Sequence, residues 1–505
     1  MKKYKIIFLL IIGVTFNACN LDEDPPFLDG TLYQSPQSAK AALDGIYQAL
    51  ANYGPQEQRI FLVNGFSGLF VTGKNGGNNV NNVNNANLFS LKPIQDNDAA
   101  NAWSGLYQVI SRANSSIENV IETENPRTND EMLFNDVLGQ AYFLRAWSYF
   151  SLVRLWGEIP LWTELPNSSN LNKAKSSVSD VYNLIISDAQ LAASLMNGTV
   201  GNGYPKSYAA NMLLAKVYMT LATAPADLQD SSLDYWQLAY NEAIQCYGQY
   251  ELHSDYSELF TVNGDNSSES IFELQISQDA TNSQMGRNFT PWKYKLSQHF
   301  GWLSVHADVY EYHSSAYPED PRLDGTYLHT YTRADNGGTV TVYPTNTTRN
   351  SFRNAHPYFF KFTEKDKTHS NQFGSQNVIV YRYAELLLML AEISNELQNG
   401  EQLGYVTEVL ARVGLTPRSS YSLGQSSFRH AIMDEYRFEL LGEGEDAHNN
   451  RRRGFNYFLT NTILRHNNNA MFDSNVDFLL NTNEDQVMKL PIPLSEINTN
   501  GEIND

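Results

Sequence analysis

Basic residues are scarce. The 505-residue chain carries 35 Lys and Arg against 55 Asp and Glu, a formal charge of −20. A phosphate-binding surface needs clustered cations to displace counterions. The dense basic run here is "RRRG" at 451–454, directly behind an acidic stretch, which argues against nucleic acid as a partner. Cysteine is scarcer still, with Cys19 and Cys246 alone. If Cys19 is consumed by the leader chemistry argued below, Cys246 has no intramolecular partner. Its setting, "YNEAIQCYGQY" at helical spacing, predicts a buried inert thiol. Long apolar runs are missing too. "IIFLLIIGVTF" near the start has eleven uncharged residues, and crossing a bilayer takes about 20. No nucleophile elbow, phosphate-binding P-loop or zinc motif occurs.

The short apolar run is informative where it stands. It follows the basic "MKKYK" and precedes "NACNLDEDPP", the layout of a secretory signal peptide. Small Ala18 before Cys19 resembles a bacterial lipobox, although Phe16 and Asn17 depart from its usual residues. On this reading residues 1–18 are a lipoprotein signal peptide and 19–30 a lipidated Cys19 with an acidic tether. Several acyl chains on Cys19 would give stable anchoring. Asp22, Glu23 and Asp24 resemble the tag that sends some lipoproteins to the outer face of the outer membrane.

The remaining chain is long enough for a large core, and 42% of the sequence is hydrophobic. Its pattern is mostly helical. "SPQSAKAALDGIYQAL" opens with Ser35 as N-cap and Pro36 at the first helical position. "TNDEMLFNDVLGQAYFLRAWSYFSLVRLWG" carries a possible capping box at Thr128 and Glu131 and two apolar stripes, so neighbours are expected on both sides. A second box lies at Ser177 and Asp180. "VIVYRYAELLLMLAEISNEL" and "SSFRHAIMDEYRFELL" read as further helices. Alanines at 141, 146, 209, 210, 215, 239, 243 and 391 mark close helix contacts, and predict a tetratricopeptide-like stack of helix pairs. The scaffold is expected over about 31–254 and 376–445. Irregular stretches at 54–97 and 255–375, rich in Gly, Pro, Asn and Thr, are expected to carry short strands.

Several blocks are then recognisable. "AYFLRAWSYFSLVRLWGEIPL" (141–161) resembles the "A..LRA..YF.LV..YG.VPL" signature of the SusD/RagB family of nutrient-binding outer-membrane lipoproteins. "SDVYNLIISDAQLA", "AANMLLAKVYM", "YELHSDYSELFTVNGDNSSESIFELQIS", "YPEDPRLDGTY", "VYRYAELLLMLAEISNEL" and "LPIPLSEINTNGEIN" match further family blocks in order. One departure is "LLGEGEDAHNNRRRG", with Glu445 and Asp446 where the family has His-Arg; the stretch reads as structural. The resemblance implies four tetratricopeptide-like helix pairs under a variable, loop-rich face. It implies capture of glycans, or of peptides in some members, without catalysis or cofactor. It also implies delivery through a SusC-like TonB-dependent barrel in the outer membrane.

Candidate ligand groups lie in the irregular stretches. The loop 75–87 holds eight Asn in thirteen residues, among them Asn78, Asn79 and Asn82, whose carboxamides offer donors and an acceptor to sugar hydroxyls. The alternative is a plain polar surface loop. "RNFTPWKYKLSQHFGWLSV" (287–305) places Trp292, Tyr294, Phe300 and Trp302 outside any helical stripe. These rings can stack on sugars or form a local core, with Trp302 the foremost candidate platform. Trp103, Trp147 and Trp156 fall on helix stripes and are expected in the core. "NGDNSSE" (263–269) has too few spaced oxygens for a calcium loop. "EGEDAH" (443–448) has no metal spacing and reads as a solvated or salt-bridged helix end beside the arginines. A surface glycoside hydrolase stays open, since among 55 acids some pair will meet the required separation. So does a purely structural adaptor.

Overall fold

The computed structural model describes residues 35–53, 63–72, 91, 97–122, 130–165, 170–277, 283–296, 299–343, 356–363, 365, 374–468 and 481–503. Its scaffold is helical: α1 (Pro36–Tyr53), α2 (Asn97–Glu122), α3 (Glu131–Trp156), α4 (Val178–Leu195), α5 (Ser207–Ala222) and α6 (Tyr235–Cys246). Then come α7 (Ala307–Ala316), α8 (Tyr383–Leu397), α9 (Gln402–Arg412), α10 (Gln425–Leu440) and α11 (Asp446–Arg452). Four pairs form the stack, α1 with α2, α3 with α4, α5 with α6, and α8 with α9. This is the expected mostly-α, tetratricopeptide-like architecture.

The local chemistry explains these helices. Ser35 caps α1, its Oγ accepting the Ser38 N–H at 3.1 Å. Ser177 caps α4 by taking the Asp180 N–H at 3.1 Å, as the capping-box pattern requires. α3 begins at Glu131 behind Asp130, which makes no side-chain cap bond; Thr128 of the expected box lies outside the described residues. Both stripes of α3 are buried, between α2 and α4. At the α3–α4 contact, a Cβ on Gly139 would come within 2.8 Å of the Met196 nitrogen, so this close approach requires glycine. The eight alanines read as contact points are all fully buried.

One expected helix is shorter than its pattern. Residues Val378–Arg382 form a strand, paired antiparallel with Ser270–Leu274, before α8 starts at Tyr383. β-Branched Val378, Ile379 and Val380 favour the extended chain. Three strands from between α6 and α8 and one from between α1 and α2 form an antiparallel sheet in the order 70–72, 303–305, 358–359, 327–328. A separate hairpin pairs Thr330–Thr332 with Thr339–Thr341.

A buried ion network holds this region to the scaffold. Arg382 reaches Glu269, Glu439 and Glu443 at 2.8, 2.6 and 2.6 Å. Arg322 reaches Asp320, Glu435 and Glu439 at 2.7, 2.7 and 2.8 Å. Arg412 also binds Glu439. Burial would raise the Glu439 carboxyl, but the three guanidiniums outweigh it and hold it well below the usual carboxylate range. The "NGDNSSE" acids are committed as well. Glu269 pairs with Arg382 and Arg412, and Asp265 accepts the Asn377 N–H at 2.9 Å.

The 443–454 stretch is salt-bridged and far from solvated. Glu443 joins Arg382 and Lys361, while Glu445 joins Arg154 and Lys216. The arginine run does not pair with these acids: Arg452 and Arg453 bind Glu392 on α8. Trp103, Trp147 and Trp156 are core residues, and so is Cys246. Burial pushes its thiol up to about 12.

Candidate ligand-binding face

The two irregular stretches singled out in the sequence meet at one sheet. Phe70 pairs with Val305 and Thr72 with Leu303, so the chain leaves for the Asn loop beside the end of the aromatic stretch. Asn78, Asn79 and Asn82 lie outside the described residues, as does Cys19.

The four aromatic candidates have different fates. Trp302 is not a platform: it is 4% exposed and part of the continuous core. Two constraints put it there. Its N–H is bonded to the Asn288 carbonyl at 2.8 Å, and the next three residues are a buried strand. Phe300, half-buried, stacks on its ring with centroids 4.6 Å apart. Gly301 permits this arrangement with φ +55°, where a Cβ would come within 2.9 Å of Pro291 Cα. Tyr294 is also buried, in a small cluster with Tyr331, Val342 and Tyr358.

Trp292 is the ring left accessible, at 40% exposed. It sits on a tight turn, with the Tyr294 N–H bonded to the Pro291 carbonyl at 3.0 Å and Lys293 at φ +64°. The 330–341 hairpin clamps this turn. Tyr331 donates its hydroxyl to the Trp292 carbonyl at 2.9 Å, and the Ala334 N–H reaches the Lys293 carbonyl at 2.8 Å. The Arg333 guanidinium stands 4.7 Å from the indole centre and the Lys293 ammonium 5.5 Å. Asp335 binds Arg333 at 2.7 Å and Lys293 at 3.6 Å. A rigidly held indole ringed by charged donors and a carboxylate can stack on an apolar face while bonding hydroxyls at its rim. The sequence pattern could not separate Trp292 from Trp302, because the clamp comes from residues some forty positions downstream.

A cavity of about 490 Å³ opens elsewhere, lined in part from α3, α5, α8 and α11. Its polar lining includes Arg154, Lys216, Glu385 and Glu445, with Glu484, Asp485 and Lys489 among others. Burial pushes the Glu385 carboxyl up to about 6, whereas Arg154 and Lys216 outweigh burial at Glu445 and hold it low. Lys216 bridges the two, bonding Glu385 directly and Glu445 at 3.2 Å.

Residues 26–219 match a family model described as starch-binding and associating with the outer membrane, and residues 218–505 match the model of the SusD family. The chain belongs to the SusD family. It is 25% identical to the SusD-like protein P25 of Formosa agariphila, over 99% of this chain and 97% of that one. With SusD-like protein P2 of the same organism it is 26% identical, over 95% and 96%. Among solved structures, a SusD homolog from Bacteroides thetaiotaomicron superposes with a TM-score of 0.76 at 21% identity, covering 94% of this chain and 97% of that one. A structure solved with xylogluco-oligosaccharide gives 0.73 at 19%, covering 93% and 98%. A laminarin-binding SusD-like protein gives 0.69 at 22%, covering 92% and 98%. At these identities the superpositions establish the fold.

Proposed function

We propose that this SusD-family chain binds glycans at the cell surface without cleaving them. It is held to the outer membrane by lipid on Cys19 and delivers its ligand to a SusC-like TonB-dependent barrel. The observation that carries the binding reading is Trp292, an exposed indole fixed by a hairpin and flanked by Arg333, Lys293 and Asp335. The glycans named for the superposing structures support the ligand class. Among the described residues no helix is long and apolar enough to cross a membrane, which accords with attachment through lipid.

Among the described residues, the Glu385–Glu445 pair in the cavity is a candidate acid pair for hydrolysis. Their opposed shifts resemble those of an acid and its ionised partner. The Lys216 ammonium, however, occupies the space between the carboxylates, where a scissile oxygen would have to lie. This supports the non-catalytic reading.

The deciding experiment is calorimetric titration of the protein lacking its leader with xylogluco-oligosaccharide, laminarin oligosaccharides and other glycans, with reducing ends assayed in parallel. One glycan should bind and stay intact, and Trp292→Ala should weaken it roughly ten- to a hundred-fold, by analogy with base stacking. Binding unchanged in Trp292→Ala would place the site elsewhere. Release of reducing ends that disappears in Glu385→Gln would establish hydrolysis instead.

A further inference from the structure

Three histidines and an aspartate gather beneath the sheet. His306 and Asp308 stand at the start of α7, His356 leads into the 358–359 strand, and His466 lies on a helical turn near the C-terminus. The imidazoles are 1–2% exposed and Asp308 is 8% exposed. Ligand atoms of His306, Asp308 and His466 all lie within 4.8 Å of one another. The His306 ring centre is 4.0 Å from that of His466 and 5.4 Å from that of His356. The His466 Nδ1 lies 3.0 Å from Asp308 Oδ1. The Ala307 N–H donates to His356 Nδ1 at 3.1 Å, so an ion bound by this ring would be bound through Nε2.

The plain alternative is a polar core cluster. Even when bonded, buried polar groups are a costlier core filling than aliphatic side chains, and a shared cation would give this grouping of donors a role. The donors are imidazole nitrogens and a carboxylate, the set suited to zinc; calcium and magnesium take oxygen ligands. Burial on every side marks a closed structural site with no open position for substrate. Two imidazoles on a tetrahedral zinc, at Zn–N of about 2.0–2.1 Å, have ring centres roughly 5 Å apart. The His306–His356 pair stands near that spacing, and the His306–His466 pair would open by about 1 Å.

We propose that His306, Asp308 and His466 form a structural zinc site; His356 is outside this close grouping and would complete the site as fourth ligand by moving its ring inward. Its mechanical role follows from the backbone. The His306 N–H bonds the Leu69 carbonyl at 2.9 Å, and the Val305 N–H bonds the Pro357 carbonyl at 3.0 Å. One ion would therefore pin the sheet under the candidate ligand face to the C-terminal turn bearing His466. The inference does not depend on glycan binding.

The test uses untagged protein lacking only its leader, stripped with chelator and titrated with Zn²⁺ and, separately, Co²⁺. Expected are one equivalent of zinc retained through dialysis, a melting temperature raised by several degrees, and the visible absorption of tetrahedral cobalt. All three should be lost in His466→Gln and in Asp308→Asn. No retained zinc and no thermal shift in the wild type would overturn the proposal. So would zinc retained equally by both variants, which would mark a different site. Should a variant fail to fold, the wild-type cobalt spectrum decides: tetrahedral bands uphold the site, and octahedral or absent bands overturn it.

Discussion

The Arg382 guanidinium lies 2.6 Å from the Glu439 carboxylate, both fully buried, at the point where the strand before α8 meets the end of α10. Arg382 is also bonded to Glu269 and Glu443. Removing it takes one cation from three buried carboxylates and leaves Glu439 to Arg322 and Arg412, Glu269 to Arg412 and Glu443 to Lys361. Arg382→Ala should cost about 3–5 kcal/mol, the range for breaking a buried pair from one side. Urea denaturation measures this, and a loss below about 1 kcal/mol would mean that water or a rearranged arginine replaces it.

Trp302 and Trp292 should respond oppositely to truncation. Trp302→Ala opens a cavity in the continuous core and should cost about 3–5 kcal/mol. Trp292→Ala removes an exposed ring and should change stability by about 0.5 kcal/mol or less. Thermal melts of the two variants side by side provide the comparison.

Glu392 provides a pH handle. Burial would raise its carboxyl, but Arg452 and Arg453 outweigh that and hold it at about 2. Its folded value lies below the ordinary 4.5, so its contribution is complete above that value and is lost as pH falls towards 2. The contribution is on the order of 3 kcal/mol. Stability measured from pH 6 to pH 3 should fall more steeply in the wild type than in Glu392→Gln. Parallel slopes would remove Glu392 from the acid response.

Cys246 should be silent to thiol reagents in the native protein. Its side chain is buried, and burial raises the thiol to about 12, so little thiolate exists at neutral pH. An Ellman titration should detect it only after denaturant is added. Prompt native reactivity would mean that α6 opens readily.

Cys19→Ala should release the protein from the membrane fraction into the soluble one. Fractionation with a salt wash tests this, and a variant that stays membrane-bound would refute lipid attachment at Cys19.

Much of the scaffold could be read from the chain. Caps at Ser35 and Ser177 and the two-sided apolar pattern of α3 are local signals, and local signals survive into the fold. The failures have a common cause. Val378–Arg382 continues an apolar pattern into α8, and only its pairing with Ser270–Leu274 makes it a strand. Trp302 and Trp292 are ten positions apart with similar neighbours, and their fates are set by Asn288 and Tyr331. The histidine cluster draws on positions 306, 356 and 466, a spacing that no short motif describes.

The pairing of Phe70–Thr72 with Leu303–Val305 also bears on biogenesis. A chain emerging from its N-terminus presents the early strand long before its partner exists, and an unpaired strand edge is a template for aggregation. Protein truncated between the end of α6 at Cys246 and residue 303 would keep three complete helix pairs yet carry that bare edge. The candidate ligand face thus doubles as a mark of completion, and a chain able to present it has been synthesised past its middle.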